Sequence, residues 1–255
     1  MAAYQGSRDM KIRDREIVRG GGYVVAEAGT NHAHRGIYSR MPHAAVLVDI
    51  AARAGADAIK FQIFVPEEPL FCPAEGDERR LKRWKDSIIA IDEWRWVAEQ
   101  AHDRGLAFIG SAFQPGGVDI VQEVCDAHKV AVRARGTYPL EKVTGKPCII
   151  SNDHPQFDDL IDIPDVCTLY CIPEYPCPPE KVNLELMKSW SMAKGMAGYS
   201  DHCPGPWMAI KALALGAAIV EKHFVVFDRD KDPDGSHAAT PEELALICKA
   251  RDAWK

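Results

Sequence analysis

A chain of 255 residues, 47% of them hydrophobic, carries enough apolar surface to bury a full core, as one large α/β domain or two smaller ones. A formal charge of −6 and a pI near 5.9 argue against the basic stripe that a nucleic-acid surface needs, although a local lysine cluster can still oppose the global sign. No apolar stretch approaches the ~20 residues of a membrane helix, and M-A-A-Y-Q-G-S-R-D-M-K-I-R-D has no apolar signal core, so no membrane partner and a cytoplasmic location are expected.

Short β-type runs alternate with amphipathic helical stretches. Strands are expected at Tyr23–Gly29, Ala58–Phe64, Ala107–Ala112, Lys129–Val132, Pro147–Ser151, Cys167–Cys171, Met196–Ser200 and Ala218–His223. Between them, A-A-V-L-V-D-I-A-A-R-A-G, D-E-W-R-W-V-A-E-Q-A-H-D-R-G and P-W-M-A-I-K-A-L-A-L-G read as helices ending at Gly55, Gly105 and Gly216. The last helix runs from Pro241 to Trp254, with Thr240 as N-cap and acids in its first turn. Eight strands alternating with helices predict a single (β/α)8 barrel over residues 1–255. A doubly wound open sheet is the competitor, but it usually has fewer strands, and no G-x-G-x-x-G follows the first one. Gly136–Lys146 leaves room for only a very short helix. The segment Val65–Asp86, with Pro66, Pro69 and Pro73, is long enough to cover an active site.

Side chains two apart share a strand face, which pairs Lys60 with Gln62, Ser200 with His202, and Glu221 with His223. Barrel active sites lie at the C-terminal ends of the strands, and Glu27, Lys60, Ser111, Lys129, Ser151, Ser200, His202, Glu221 and His223 all fall at or near that mouth. Inward lysines are costly unless an anion neutralises them, so Lys60 and Lys129, with the hydroxyls of Ser111, Ser151 and Ser200, suit a phosphate or carboxylate. His202 and His223 on neighbouring strands can converge on a divalent cation acting as a Lewis acid on a carbonyl oxygen. Asp201 and Lys222 alternate away, toward a supporting or helix-facing pair. His32 and His34 either line the mouth or lie in a solvated loop. The charged runs of residues 73–85 read as a solvated loop and helix face. The eight cysteines form no C-x-x-C pair and read as reduced structural thiols.

The segments A-E-A-G-T-N-H (26–32), A-G-A-D-A-I-K-F-Q (54–62), Y-P-C-P-P-E-K-V-N-L (175–184), G-Y-S-D-H (198–202) and G-A-A-I-V-E-K-H-F (216–224), followed by P-D (233–234), resemble the sialic acid synthase (N-acetylneuraminate synthase) family, in the family's order. The resemblance implies a (β/α)8 barrel that condenses phosphoenolpyruvate with an aminosugar-type aldehyde, releasing phosphate and forming a nonulosonic acid. It implies metal ligands at His202 and His223, for Mn2+ or alternatively Mg2+ or Co2+. Lys60, Lys129, Ser111, Ser151 and Ser200 fall around phosphoenolpyruvate, Glu27 beside its C2, and Gln62, Tyr175 and Asp234 at substrate-contacting positions; Glu221 joins Glu27 as a candidate catalytic carboxylate. The chain departs from the family at Val132, where a serine is usual, at S-N-D-H (151–154) in place of S-T-G-M, and at G-S-H-A after P-D in place of H-x-F-S. The resemblance covers the family's barrel and not its antifreeze-like C-terminal domain, which covers the sugar from a partner subunit. Cover over the metal side of the mouth is therefore expected from Val65–Asp86, a neighbouring subunit or a separate protein, with a homodimer left open. Two other readings stand beside this one: a metal-dependent aldolase or lyase on a different carbonyl substrate, and a non-catalytic ligand-binding homologue.

Overall fold

In the computed structural model, which describes residues 10–33, 40–72, 78–154, 165–194, 196–226 and 234–254, the alternating runs close into a barrel of eight parallel strands. After a short antiparallel hairpin, β1 (Met10–Ile12) and β2 (Arg15–Ile17), come β3 (Tyr23–Gly29), β4 (Ala58–Ile63), β5 (Ala107–Ala112), β6 (Ala127–Val130), β7 (Cys148–Asn152), β8 (Val166–Cys171), β9 (Ala197–Asp201) and β10 (Ile219–His223). They neighbour one another in chain order, and β10 pairs back onto β3. The helices are α1 (Arg40–Ala54), α2 (Glu78–Asp86), α3 (Ile91–Asp103), α4 (Pro115–Val124), α5 (Leu184–Lys194), α6 (Trp207–Ala214) and α7 (Pro241–Ala253). None of the described helices is long and apolar enough to cross a membrane.

The helix signals act as expected. Gly55 follows α1 at φ +84°, which a side chain rarely tolerates. Thr240 caps α7: its hydroxyl accepts from Glu243 N at 3.3 Å, while the Glu243 carboxylate accepts from Thr240 N at 2.9 Å. One strand is displaced from expectation: β6 covers Ala127–Val130, and Val132 opens a 3-10 turn (Val132–Ala134). The parallel register Ile109↔Ala127 sets its start, which periodicity cannot locate inside the continuous apolar run K-V-A-V. The following stretch holds only a further 3-10 turn, Leu140–Lys142, as its length required.

Strand parity sorts the interior. Outward residues such as Val24, Phe61, Phe108, Ile150 and Val220 pack under the helices. Inward residues Val25, Ile109, Ile149, Leu169 and Ile219 form an apolar floor, and the hairpin side chains Met10, Ile12 and Ile17 seal it from the N-terminal end. Full burial of such side chains stabilises by roughly 1.5–3 kcal/mol each, enough to hold a hairpin of two three-residue strands in place. Beside the plug, fully buried Asp57 accepts from Val24 N at 2.7 Å and Arg251 Nη1 at 2.6 Å and pairs with Arg15 of β2.

In the compressed unit side chains cover the outward face of β6. His128, outward on β6, bonds through Nδ1 to the Tyr138 hydroxyl and through Nε2 to Gln122 Oε1, both at 2.8 Å. Burial, with Lys146 adding repulsion, depresses its pKa to about 4. The unfolded chain takes up this proton below ~6.5 and the folded one does not. Stability from His128 is thus fully present above that pH and falls by up to ~1.4 kcal/mol per pH unit on the way down to the folded value. Urea midpoints at pH 7 and pH 4.5 should fall further apart in the wild type than in His128→Gln; equal gaps would remove His128 as the cause.

Candidate active site

One layer above the apolar floor, the inward positions turn polar. Glu27, Lys60, Ser111, Lys129, Ser151, Ser200 and Glu221 are each at most 5% exposed and face one another across the barrel. Lys60 Nζ lies 3.0 Å from Glu221 Oε2 and 3.3 Å from Glu27 Oε2. Lys129 Nζ donates to Ser151 Oγ at 2.7 Å and lies 3.8 Å from Glu221 Oε1, which also accepts from Ser200 Oγ at 3.0 Å. Ser111 Oγ reaches the Phe61 carbonyl at 3.5 Å.

This packing separates the two carboxylates. Burial raises the Glu27 carboxyl, with Lys60 only partly offsetting it. For Glu221 burial also pushes upward, but Lys129 and Lys60 together outweigh it and hold the group at about 2. Burial disfavours charge on both lysines: Glu221 and Glu27 overcome this at Lys60, which is raised, whereas Lys129 is lowered. The opposite shifts leave Glu27 holding a proton more readily than Glu221.

Nearer the lip the lining becomes imidazole-rich. His202 Nδ1 donates to the Ile172 carbonyl at 2.7 Å, which fixes its tautomer and leaves the Nε2 lone pair available. Its ring is 4.0 Å from that of Tyr175 and 5.8 Å from that of His223, measured between centroids. His223 Nδ1 lies 3.2 Å from Asp234 Oδ2, and Asp234 Oδ1 accepts from Arg83 Nη1 at 3.2 Å. Burial opposes charge on His223, but Asp234 outweighs it and the pKa is raised; burial likewise opposes charge on Asp234, yet His223 and Arg83 hold it well below the usual carboxylate range. Gly29 makes room here: at φ +56° its missing Cβ would stand 2.9 Å from Asp234 Oδ2. Gln62 Nε2 donates to Glu27 Oε1 at 3.4 Å and links the lip to the layer below.

All the residues singled out from the sequence line one cavity of about 530 Å3: Glu27, Lys60, Gln62, Ser111, Lys129, Ser151, Tyr175, Ser200, His202, Glu221, His223 and Asp234. Asp201 and Lys222 form the expected outward pair, fully buried with a 3.0 Å contact. His32 does neither of the things its loop suggested. It is fully buried against Phe61 and Trp94, with Nε2 2.8 Å from the Ser87 carbonyl, because the chain turns under α3 directly after β3. His34 lies outside the described residues. The cysteines are free thiols; Cys171 nonetheless lines the cavity, its thiol pushed up to about 12 by burial.

Two groups of lining residues escaped the sequence reading. His237 stands with its ring 4.7 Å from that of His223, and ligand atoms of His223, Asp234 and His237 all lie within 4.8 Å of one another. Among the described residues His237 Nε2 is buried without a hydrogen-bond partner, and burial, with His223 adding, depresses the ring to about 3. Its signal was visible as G-S-H-A after P-D, but a loop histidine has no periodicity to place it. The second group is α2, which sets Arg79, Arg80, Lys82 and Arg83 along the wall; Arg79 and Lys82 stay exposed, as expected of a solvated helix face, while Arg83 turns in to Asp234. The helix is held by Trp84, stacked on Phe64 at 4.9 Å and on Phe113 at 5.9 Å. Its contact through Arg83 to Asp234 puts it on the histidine side of the mouth, where cover from Val65–Asp86 was expected, although residues 73–77 lie outside those described.

A model of the NeuB family matches residues 47–255. The chain is 33% identical over 250 residues to an uncharacterized protein of Methanocaldococcus jannaschii, MJ1065, spanning 92% of this chain and 72% of that one. It is 28% identical over 251 residues to the N,N'-diacetyllegionaminic acid synthase of Campylobacter jejuni, spanning 88% of this chain and 74% of that one. The fold is similar to the crystal structure of the N-acetylneuraminic acid synthetase of Leptospira borgpetersenii in complex with citrate, with a TM-score of 0.83 at 24% identity over 96% of this chain and 88% of that one. With a family model matching most of its length, on a barrel whose mouth gathers the motifs described above, the chain belongs to the NeuB family.

Proposed function

We propose that this protein is a phosphoenolpyruvate-dependent sugar-acid synthase. A bond forms between C3 of phosphoenolpyruvate and the aldehyde carbon of an N-acylated aminosugar, the aldehyde oxygen takes a proton, water adds at C2 and phosphate leaves. The observation that carries this reading is one cavity in which a lysine and hydroxyl layer lies directly below a cluster of histidines and Asp234. Lys60 and Lys129, with Ser111, Ser151 and Ser200, hold the carboxylate and phosphate through charge-assisted bonds. Glu27, whose carboxyl is raised, manages the proton or water beside C2, while ionised Glu221 orients Lys60 and Ser200. Gln62 and Tyr175 contact the acceptor from the lip.

The donor set also fits a divalent ion, Mn2+ or alternatively Mg2+ or Co2+: two imidazoles and a carboxylate converge, and the buried His237 Nε2 has no hydrogen-bond partner among the described residues. His223, Asp234 and His237 would hold the ion with His202 alongside, and when bound it polarises the aldehyde oxygen. The test follows phosphoenolpyruvate consumption and phosphate release with Mn2+ and a panel of N-acylated aminosugars, each component omitted in turn. Release that requires all three supports the reading. Binding of metal and phosphoenolpyruvate without turnover of any acceptor would point to a ligand-binding protein, and sugar-acid cleavage without phosphoenolpyruvate to an aldolase.

A further inference from the structure

Cationic side chains on a short amphipathic helix normally stay in water. Lys82 of α2 does so: it is 70% exposed and pairs with Asp86, one turn on, at 2.7 Å. Arg83 does not. Its side chain is 28% exposed, and its Nη1 lies 3.2 Å from Asp234 Oδ1. Among the described residues its Nε is buried without a hydrogen-bond partner, which is unfavourable. The ion pair with Asp234, 151 residues away in the chain, offsets that cost.

The backbone that carries Arg83 is fixed independently of this pair. Trp84 is stacked on Phe64 and Phe113, just past β4 and β5. Directly after the helix, Ser87 N donates to the Arg83 carbonyl at 3.1 Å, and the Ser87 carbonyl meets His32 Nε2 at 2.8 Å. The guanidinium therefore reaches into the mouth from a set platform. Asp234 stands on no such support, since it opens the turn 234–237 and belongs to no strand or helix. Bonds from His237 N and Ala238 N to its carbonyl, at 3.2 and 3.0 Å, shape that turn. Its carboxylate is divided: Oδ1 faces Arg83, and Oδ2 lies 3.2 Å from His223 Nδ1.

From this geometry we infer that Arg83 is a positioning residue of the metal centre: by engaging Oδ1 it fixes the Asp234 carboxylate so that Oδ2 is presented beside His223. The inference rests on the metal assignment proposed above and adds to it a residue that acts through a ligand. The sign of the effect separates this role from plain electrostatics. A cation repels a divalent ion and competes with it for the carboxylate, so removing the charge alone would tighten metal binding. Removing a partner that orients a ligand weakens metal binding, typically by ~10–100-fold.

The experiment titrates Mn2+ without substrate into the wild type, Arg83→Met, Arg83→Lys, Arg79→Met and His223→Ala, reading the free ion by electron paramagnetic resonance. Arg83→Met should weaken the site by about tenfold or more. Arg83→Lys keeps a cation within reach of Asp234 and should recover most of that loss. Arg79 sits on the same helix with no ion pair among the described residues, so Arg79→Met should bind Mn2+ as the wild type does or more tightly. Equal or tighter binding in Arg83→Met would overturn the inference, as would an Arg83→Lys variant no better than Arg83→Met. Equal weakening in Arg79→Met would also overturn it, by tracing the effect to the helix as a whole. The metal assignment itself is read separately: no tight site in the wild type, or one that His223→Ala retains, sinks that assignment and this inference with it.

Discussion

Lys60→Met should cost the protein both its anion site and a large part of its stability. Lys60 is the cation shared by Glu27 and Glu221, at 3.3 and 3.0 Å, in a layer closed to water from below. Removing one partner of a buried ionic group costs about 3–5 kcal/mol, because the remaining charge is left uncompensated. The two carboxylates then face each other with only Lys129 nearby, 3.8 Å from Glu221, so the variant relieves the strain by taking up a proton, and Glu27 is the group already raised. The loss of stability should therefore shrink as the pH is lowered, which distinguishes an electrostatic defect from a packing one. Phosphoenolpyruvate affinity should fall by the few kcal/mol of a lost charge-assisted contact in a partly desolvated pocket. Thermal unfolding across pH and calorimetry with phosphoenolpyruvate read the two effects. An unchanged affinity would remove Lys60 from the anion site, and a pH-independent stability loss would refute the charge argument.

His223→Ala should abolish tight Mn2+ binding while leaving the barrel folded. Its ring is the one histidine common to the sequence-derived pair with His202 and to the structural trio with Asp234 and His237. Losing a ligand should weaken binding by more than the ~10–100-fold that loss of an outer partner costs. His237→Ala and His202→Ala then separate the two arrangements. On the trio geometry, His237→Ala weakens Mn2+ binding more than His202→Ala does, since His202 lies outside the group of converging ligand atoms. Titration of Mn2+ followed by its electron paramagnetic resonance signal reads this without turnover, and near-ultraviolet circular dichroism checks the fold. Unchanged stoichiometry in His223→Ala would refute the metal assignment, and the reverse order of the other two variants would return the ion to the His202–His223 pair.

The parts of this molecule that obey a period were legible in the sequence. Lys60 and Gln62, Ser200 and His202, and Glu221 and His223 share inward faces because strand alternation leaves them no other choice. Asp201 and Lys222 turn outward for the same reason. What escaped has no period or is too short to show one. Three-residue strands at Met10–Ile12 and Arg15–Ile17 give too few positions for alternation to register, so the plug was invisible. His237 is brought to His223 by a turn whose path depends on tertiary contacts such as Ala239 N to the His223 carbonyl at 2.7 Å. The α2 arginines read as a charged helix side, and sequence does not show the cavity wall which that side forms. His32 was misplaced by the same ignorance: only the fold shows α3 closing over it.

The sealed floor has a kinetic consequence. Met10, Ile12 and Ile17 turn the barrel into a well open at one end, with the anion layer at residues 60 and 129 below the lip formed by residues 62, 202 and 223. On the proposed assignment the deeper reactant should enter first and the acceptor close over it like a stopper, an order that initial-rate kinetics with a dead-end analogue of each reactant would read.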